Sequence, residues 1–250
     1  MTIDDKIIKT YEERIPHTIL ATCLKGSQNY GLETSHSDVD TLSIVVPTLY
    51  DYACGLTENI NKTYKFTTGQ SEVKTIQKFI YGLKHPTIVS LEPLYASKIW
   101  VAKAFYTLWN QLQLDRNDIA FAQPTQVYWS TIGYIREMIK IWDKPTVGNF
   151  SLTLGYNPKA ISHAFRGMEF LEHYLQREIN YLASQDVKEI KLGYYTKQQI
   201  RDKLKRLQQH DFFLHPEWFQ NIIPSGYTEE ELNCWLYRCV KESLAYELVS

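Results

Sequence analysis

Two short apolar runs, HTILATCL (17–24) and VDTLSIVV (39–46), flank a polar loop that opens on Gly26-Ser27 and closes on Asp38 and Asp40. This arrangement constrains the fold more than any other feature of the chain. Each run is bounded by turn residues and has the length of a buried strand. The first runs directly into Gly26-Ser27, and Pro47 ends the second. Alternate side chains of a strand share a face, so Asp38 and Asp40 are neighbours. Two carboxylates held that close repel, and an ordinary core face would not tolerate them. A divalent cation removes the conflict, because Mg²⁺ takes oxygen ligands and is commonly held by one or two carboxylates together with phosphate oxygens.

The Gly-Ser turn supplies the other half of such a site. After a buried strand it exposes backbone N–H groups and a hydroxyl suited to phosphate. Gly26 lets the backbone approach closely, Gly31 is expected at positive φ, and Ser37 is expected to cap or orient the start of the Asp38 strand. A phosphate cradle and a metal cradle joined by a short loop fit metal-assisted phosphoryl or nucleotidyl transfer. The plainer alternative is a surface turn followed by capping aspartates. Asp-x-Asp alone is common. Gly-Ser, ten intervening residues and Asp-x-Asp between two apolar strands is more specific.

Periodicity assigns most of the remaining chain. Residues 3–14 form a short helix with Ile7, Ile8 and Tyr11 on one side, and KTYKFTT (62–68) is a third strand. Val73, Ile76, Ile80 and Leu83 recur at helical spacing, which predicts a helix over 71–84 ended by His85-Pro86. A helix or turn follows over 86–96, then a helix over 102–114. From about residue 124 the pattern is nearly all helical: 124–144, a Gly/Pro/Asn-rich loop over 143–158, a long helix from Pro158 to about Ser184, another over 197–210, and a last one from Thr228 with Glu231 completing a capping box. The expected class is α+β, with a mixed part over 1–115 and a helical domain over 116–250.

The 250 residues allow a sizeable core, and 44% apolar content is ordinary for a globular chain. A net charge of −1 excludes a general polyanion binder. Cys23, Cys54, Cys234 and Cys239 match no zinc or redox spacing and read as small buried hydrophobes in a reducing compartment. The charged N-terminus lacks a signal-peptide core, and no apolar run approaches a membrane span, so a cytoplasmic protein is expected.

GSQNYGLETSHSDVD (26–40) resembles the signature of the DNA polymerase β-type nucleotidyltransferase superfamily. The pattern G-S-x-x-x-G-L-x-x-x-x-S-D-x-D is similar to that of a group of predicted nucleotidyltransferases that includes RNA-repair-pathway-associated members. FIYGLKHPTIVSLEPL (79–94) resembles that group's stretch in which a helix ends at a Gly-Asn-Pro-like turn and a Leu-Glu pair follows. NPKAISHAFRGMEFL (157–171) resembles its later helix carrying Lys, His and Arg. The likeness covers most of residues 18–175. It implies a small mixed β-sheet core flanked by helices, with a mostly helical C-terminal half. It further implies that Gly26 and Ser27, with Ser37 beside them, bind the nucleotide phosphates, and that Asp38 and Asp40 bind two Mg²⁺ ions, Mn²⁺ serving as a substitute. Such sites add a third carboxylate on a neighbouring strand to activate the incoming hydroxyl. That position aligns near Gln70, which is not acidic; Glu72, two residues on, and Glu92, in the Leu-Glu pair, are the candidates.

Lys159, His163 and Arg166 share a helical face away from the Ile161–Phe165–Met168 stripe. They read either as a clamp for a triphosphate or an acceptor phosphate, or as a solvated basic face. Lys197, Arg201 and Lys205, with Lys203 and Arg206 nearby, read as a solvated face rather than an RNA track. His36, Tyr30 and Tyr64 are weaker candidates for contacts to phosphate or base. The function expected is a Mg²⁺-dependent nucleotidyltransferase that moves an NMP from an NTP such as ATP to an acceptor hydroxyl, releasing pyrophosphate. The acceptor is left open between an RNA 3′ end (tRNA included), a protein and a small molecule. The alternative is a catalytically weakened nucleotide- or RNA-binding sensor on the same fold.

Overall fold

Ile7, Ile8, Tyr11 and Ile15 come together on the buried side of an N-terminal helix, α1 (Asp5–Arg14), and its following turn. They pack on Ile19, Val45, Ile60 and Val73 of the sheet region, with Tyr64, Phe66 and Trp100 at the margin. The computed structural model describes residues 5–34, 37–67, 69–144 and 151–247. After α1 come strand β1 (Thr18–Leu24), the one-turn helix α2 (Gly26–Asn29), strand β2 (Val39–Val46), helix α3 (Leu49–Ala53), strands β3 (Lys62–Phe66) and β4 (Gly69–Thr75), helices α4 (Ile76–Lys84) and α5 (Ile88–Leu91), strand β5 (Ile99–Val101), and helices α6 (Tyr106–Leu114) and α7 (Arg116–Ala120). The strands form one mixed sheet in the order β3-β4-β2-β1-β5. Among the described residues, only the β2–β4 pair is parallel.

Buried hydroxyls are paired across the sheet. Thr22 Oγ1 and Ser43 Oγ lie 3.1 Å apart, and Ser43 Oγ lies 2.8 Å from Ser71 Oγ. This ladder satisfies polar groups on β1, β2 and β4 that would otherwise be costly to bury.

Strand β4 corrects the helix expected over 71–84. Ser71, Val73 and Thr75 are buried, while Gln70 is exposed and Glu72 and Lys74 are half-buried, so the period there is two. The helix starts only where Thr75 accepts the Lys78 N–H on its hydroxyl, at 3.3 Å. Gly69 explains how β4 docks. Its φ is +155°, and a Cβ there would stand 2.1 Å from the Val39 carbonyl oxygen, so only glycine permits the strand to start against β2.

The second half is helical: α8 (Pro124–Lys140), α9 (Ser151–Leu154), α10 (Pro158–Leu175), α11 (Gln185–Leu192), α12 (Lys197–Gln208), α13 (Asp211–Leu214), α14 (Glu217–Gln220) and α15 (Glu229–Glu247). Helix α10 stops at Leu175 rather than near Ser184. Arg177 takes a left-handed φ of +62°, and the Arg177 and Glu178 N–H groups return to the carbonyls of Tyr174 and His173 at 2.9 Å each. That is a Schellman closure built on an arginine where glycine is usual. The capping box at Thr228 and Glu231 forms as expected.

Two compact units result, divided differently from the expected 115/116 boundary. Described residues up to Ala122 and from Ser225 onward form one unit, and Gln123–Pro224 forms the other. The return of the chain has specific causes. Trp235 Nε1 on α15 donates to the Leu108 carbonyl at 2.7 Å, and Lys84 Nζ donates to Asn233 Oδ1 at 2.6 Å. Among the described residues, no helix is long and apolar enough to cross a membrane. All four cysteines are free thiols. Cys23 and Cys239 are buried as expected, but Cys54 and Cys234 are exposed.

Candidate active site

Strand β1 ends by handing its backbone to β2: the Lys25 N–H donates to the Asp40 carbonyl at 2.8 Å. The chain then turns at Gly26, whose φ is +67°. A Cβ on Gly26 would lie 3.1 Å from Asp40 Oδ2, so the turn passes close to the Asp40 carboxylate at a residue that has no side chain to place there. Gln28 Nε2 donates to the Asp38 carbonyl at 3.3 Å, and the Leu32 N–H closes on the Ser27 carbonyl at 2.7 Å. Gly31 turns at φ +63°, as expected. Ser37 Oγ accepts the Thr34 N–H at 2.8 Å, which fixes the loop just before Asp38. The expected contact of His36 lies outside the described residues.

Val39 and Thr41 are buried, and Thr41 donates to the Tyr11 hydroxyl at 3.1 Å on the α1 side. Strand alternation turns Asp40 away from Val39 and Thr41, and it is half-buried; Asp38, the residue just before β2, is exposed. Among the described residues neither carboxylate accepts a hydrogen bond or forms an ion pair, and the Ser27 hydroxyl makes no hydrogen bond. Two hard oxygen donors without an ion-pair partner among the described residues fit Mg²⁺ or Mn²⁺, with phosphate and water able to complete the coordination. Among the described residues there is no group of three or more His, Cys, Asp or Glu side chains that could hold a metal.

The third carboxylate is where the site departs from the expectation. In the parallel β2–β4 register Gln70 stands opposite Asp40, and Glu72 opposite Leu42. Glu72 pairs with Lys25 Nζ at 2.5 Å and with Lys74 Nζ at 2.9 Å. Burial would raise its carboxyl, but the two ammonium groups outweigh that and hold it below the usual carboxylate range. Glu72 is thus a neutralised carboxylate rather than a free base. Glu92 is buried in the 3₁₀ turn Glu92–Tyr95, and its oxygens accept the Gly26 N–H at 3.0 Å, Asn29 Nδ2 at 3.3 Å and the Tyr30 hydroxyl at 2.6 Å. Its lone pairs are committed inside the protein, which removes it as a free base as well. Tyr30 is buried on Glu92 and unavailable to stack on a base. Tyr64 is half-buried, with the Lys62 ammonium 4.9 Å from its ring centre.

Lys159, His163 and Arg166 lie on α10 of the second unit, whose start is capped by Asn157 Oδ1 accepting the Ala160 N–H at 3.0 Å. They do not form a solvated basic face. Lys159 is exposed and His163 half-buried, whereas Arg166 is only 3% exposed. Helix α10 is buried almost all round because α8 and α11 both pack on it. Burial, then Arg166, Lys159 and Lys191, push the His163 imidazole down to about 3. The imidazole is thus neutral at physiological pH. Helix α12 agrees with a solvated face: Lys203 pairs with Asp186 at 2.7 Å, Arg201 donates to Gln198 at 3.1 Å, and Lys197 stands over the Trp142 ring at 5.7 Å.

Lys25 is the site residue that sequence reasoning missed. Its signal was a lone cation closing an otherwise apolar strand, directly before Gly26-Ser27. No protein-family model matches the chain, and no curated protein matches it.

Proposed function

We propose that this chain is a divalent-cation-dependent nucleotidyltransferase of the polymerase β type, moving an NMP from an NTP to an acceptor hydroxyl. One observation carries the reading: Gly26, lacking a side chain, sets a Ser-bearing turn against the Asp40 carboxylate, with 3.1 Å between its absent Cβ and Asp40 Oδ2. Phosphate-type and metal-type ligands then belong to one small site. The Ser27 hydroxyl and the turn backbone hold the outer phosphates, and Asp38 and Asp40 hold the cation. When bound, the cation supplies charge neutralisation at the α-phosphate and at the departing pyrophosphate. The acceptor oxygen forms its bond to the α-phosphorus as the bond to the bridging oxygen breaks. Its proton passes to water, since neither Glu72 nor Glu92 offers a free carboxylate. An RNA 3′ end is the proposed acceptor, and the cytoplasm, with its NTP pool, the proposed location; the four free thiols support the latter.

The test is incubation with labelled NTPs, Mg²⁺ or Mn²⁺ and total tRNA. The reading expects pyrophosphate release and label transfer that vanish in Asp38→Ala and Asp40→Ala. A second reading, a nucleotide-binding sensor, is favoured by Gln70 standing opposite Asp40 and by the neutralised Glu72. NTP binding without turnover under either metal selects it.

A further inference from the structure

Glu92 lies 62 to 66 positions from the residues that donate to it, and those donors come from one short stretch. Gly26 N–H and Asn29 Nδ2 reach Oε1 at 3.0 and 3.3 Å, and the Tyr30 hydroxyl reaches Oε2 at 2.6 Å. The stretch is held a second time from the same side, because Asn29 Oδ1 accepts the Ser97 N–H at 2.8 Å. Glu92 is only 1% exposed, and Asn29 and Tyr30 are buried with it. A carboxylate is expensive to bury, and three hydrogen bonds offset that cost only while all three donors stay in place. The same turn carries Gly26 against Asp40 Oδ2 and Ser27 beside it.

We propose that Glu92 is a positioning residue: a buried latch that fixes the Gly26–Tyr30 turn at its working distance from Asp40, and neither a metal ligand nor a base. The inference rests on the reading of that turn as a phosphate site. It assigns Glu92 a role through Gly26 and Asn29 rather than through contact with nucleotide.

The chemistry separates the two roles. The side-chain amide introduced by Glu92→Gln keeps one carbonyl oxygen for Gly26 and Asn29, and its NH₂ can donate to the Tyr30 oxygen, which also accepts. A latch therefore survives this substitution, whereas a base or a charged ligand does not. Glu92→Ala removes the acceptor that all three donors share. The experiment follows amide hydrogen exchange of a peptide spanning the turn, alongside calorimetric titration of Mn²⁺-ATP. Wild type and Glu92→Gln should show the same slow exchange at Gly26 and affinities within about threefold of one another. Glu92→Ala should exchange at least about tenfold faster there and bind at least about tenfold more weakly. Tyr30→Phe, which removes a single donor, should shift both readouts in the same direction by a smaller factor, and it stands in if Glu92→Ala fails to fold. The latch is refuted if Glu92→Gln loses Mn²⁺-ATP as fully as Asp40→Ala while its Gly26 exchange stays slow, or if Tyr30→Phe and Glu92→Ala leave that exchange untouched. A wild-type protein that binds no Mn²⁺-ATP sinks the phosphate-site reading instead, and the exchange data still decide whether Glu92 holds the turn.

Discussion

Gly26→Ala tests the contact between turn and carboxylate, and Gly55→Ala provides its internal control. Both glycines sit at φ +67°. An alanine forced into that left-handed region costs about 1–2 kcal/mol relative to its relaxed backbone. At about 2–4 °C per kcal/mol for a chain of this size, each substitution lowers the melting temperature by roughly 2–8 °C on this ground alone. The surroundings differ. Nothing lies within 4 Å of a Cβ at Gly55, whereas a Cβ at Gly26 meets Asp40 Oδ2 at 3.1 Å. That contact is tighter than ordinary packing, so the carboxylate must move by a few tenths of an ångström and lose solvent on one side. Gly55→Ala therefore reports the backbone cost. Any further loss in Gly26→Ala reports the Asp40 contact, expected at about 1 kcal/mol. The assay is thermal melting of wild type and both variants, each with and without saturating Mn²⁺. The Mn²⁺-induced rise in melting temperature should persist in Gly55→Ala and shrink in Gly26→Ala. Equal melting temperatures for the two variants, with an undiminished Mn²⁺ rise in Gly26→Ala, would refute the placement of the turn against Asp40.

Gln70→Asp puts a third carboxylate opposite Asp40. It should tighten Mn²⁺ binding by about tenfold in calorimetry, near 1.4 kcal/mol, while lowering stability without metal through repulsion. Glu72 has its folded-state carboxyl lowered, so its stabilising contribution is fully present above the ordinary glutamate value and is lost as pH falls through the lowered one; Glu72→Gln should flatten that acid limb of a melting-temperature profile. Tyr128 is buried in the helical unit and donates to the Phe212 carbonyl at 2.7 Å; Tyr128→Phe should cost about 1–2 kcal/mol in a urea melt.

The strands beside the candidate site were legible because their signal is local. HTILATCL and VDTLSIVV are apolar, short and bounded, and they become β1 and β2 within a residue of the expected limits. The loop chemistry was legible for the same reason, since glycine, serine and paired aspartates have few uses together. Strand β4 was hidden by coincidence: Val73 falls at helical spacing from Ile76 and Ile80, although it lies on the strand and the helix begins after Thr75. The end of α10 was hidden because an arginine adopts the left-handed turn that glycine usually marks. Glu92 was singled out as a carboxylate, but its partners lie more than 60 positions away, and no local pattern carries such a contact. Burial of Arg166 depends likewise on α8 and α11 closing around α10, which the spacing on one helix does not reveal.

The most direct measurement is isothermal titration of ATP into the wild-type protein and into Asp38→Asn and Asp40→Asn, each in Mn²⁺ and in EDTA. One joint site for phosphate and cation requires that ATP bind more tightly in Mn²⁺ and that both aspartate variants lose this gain while still melting cooperatively. ATP affinity that ignores the metal, or variants that keep the full gain, would contradict it.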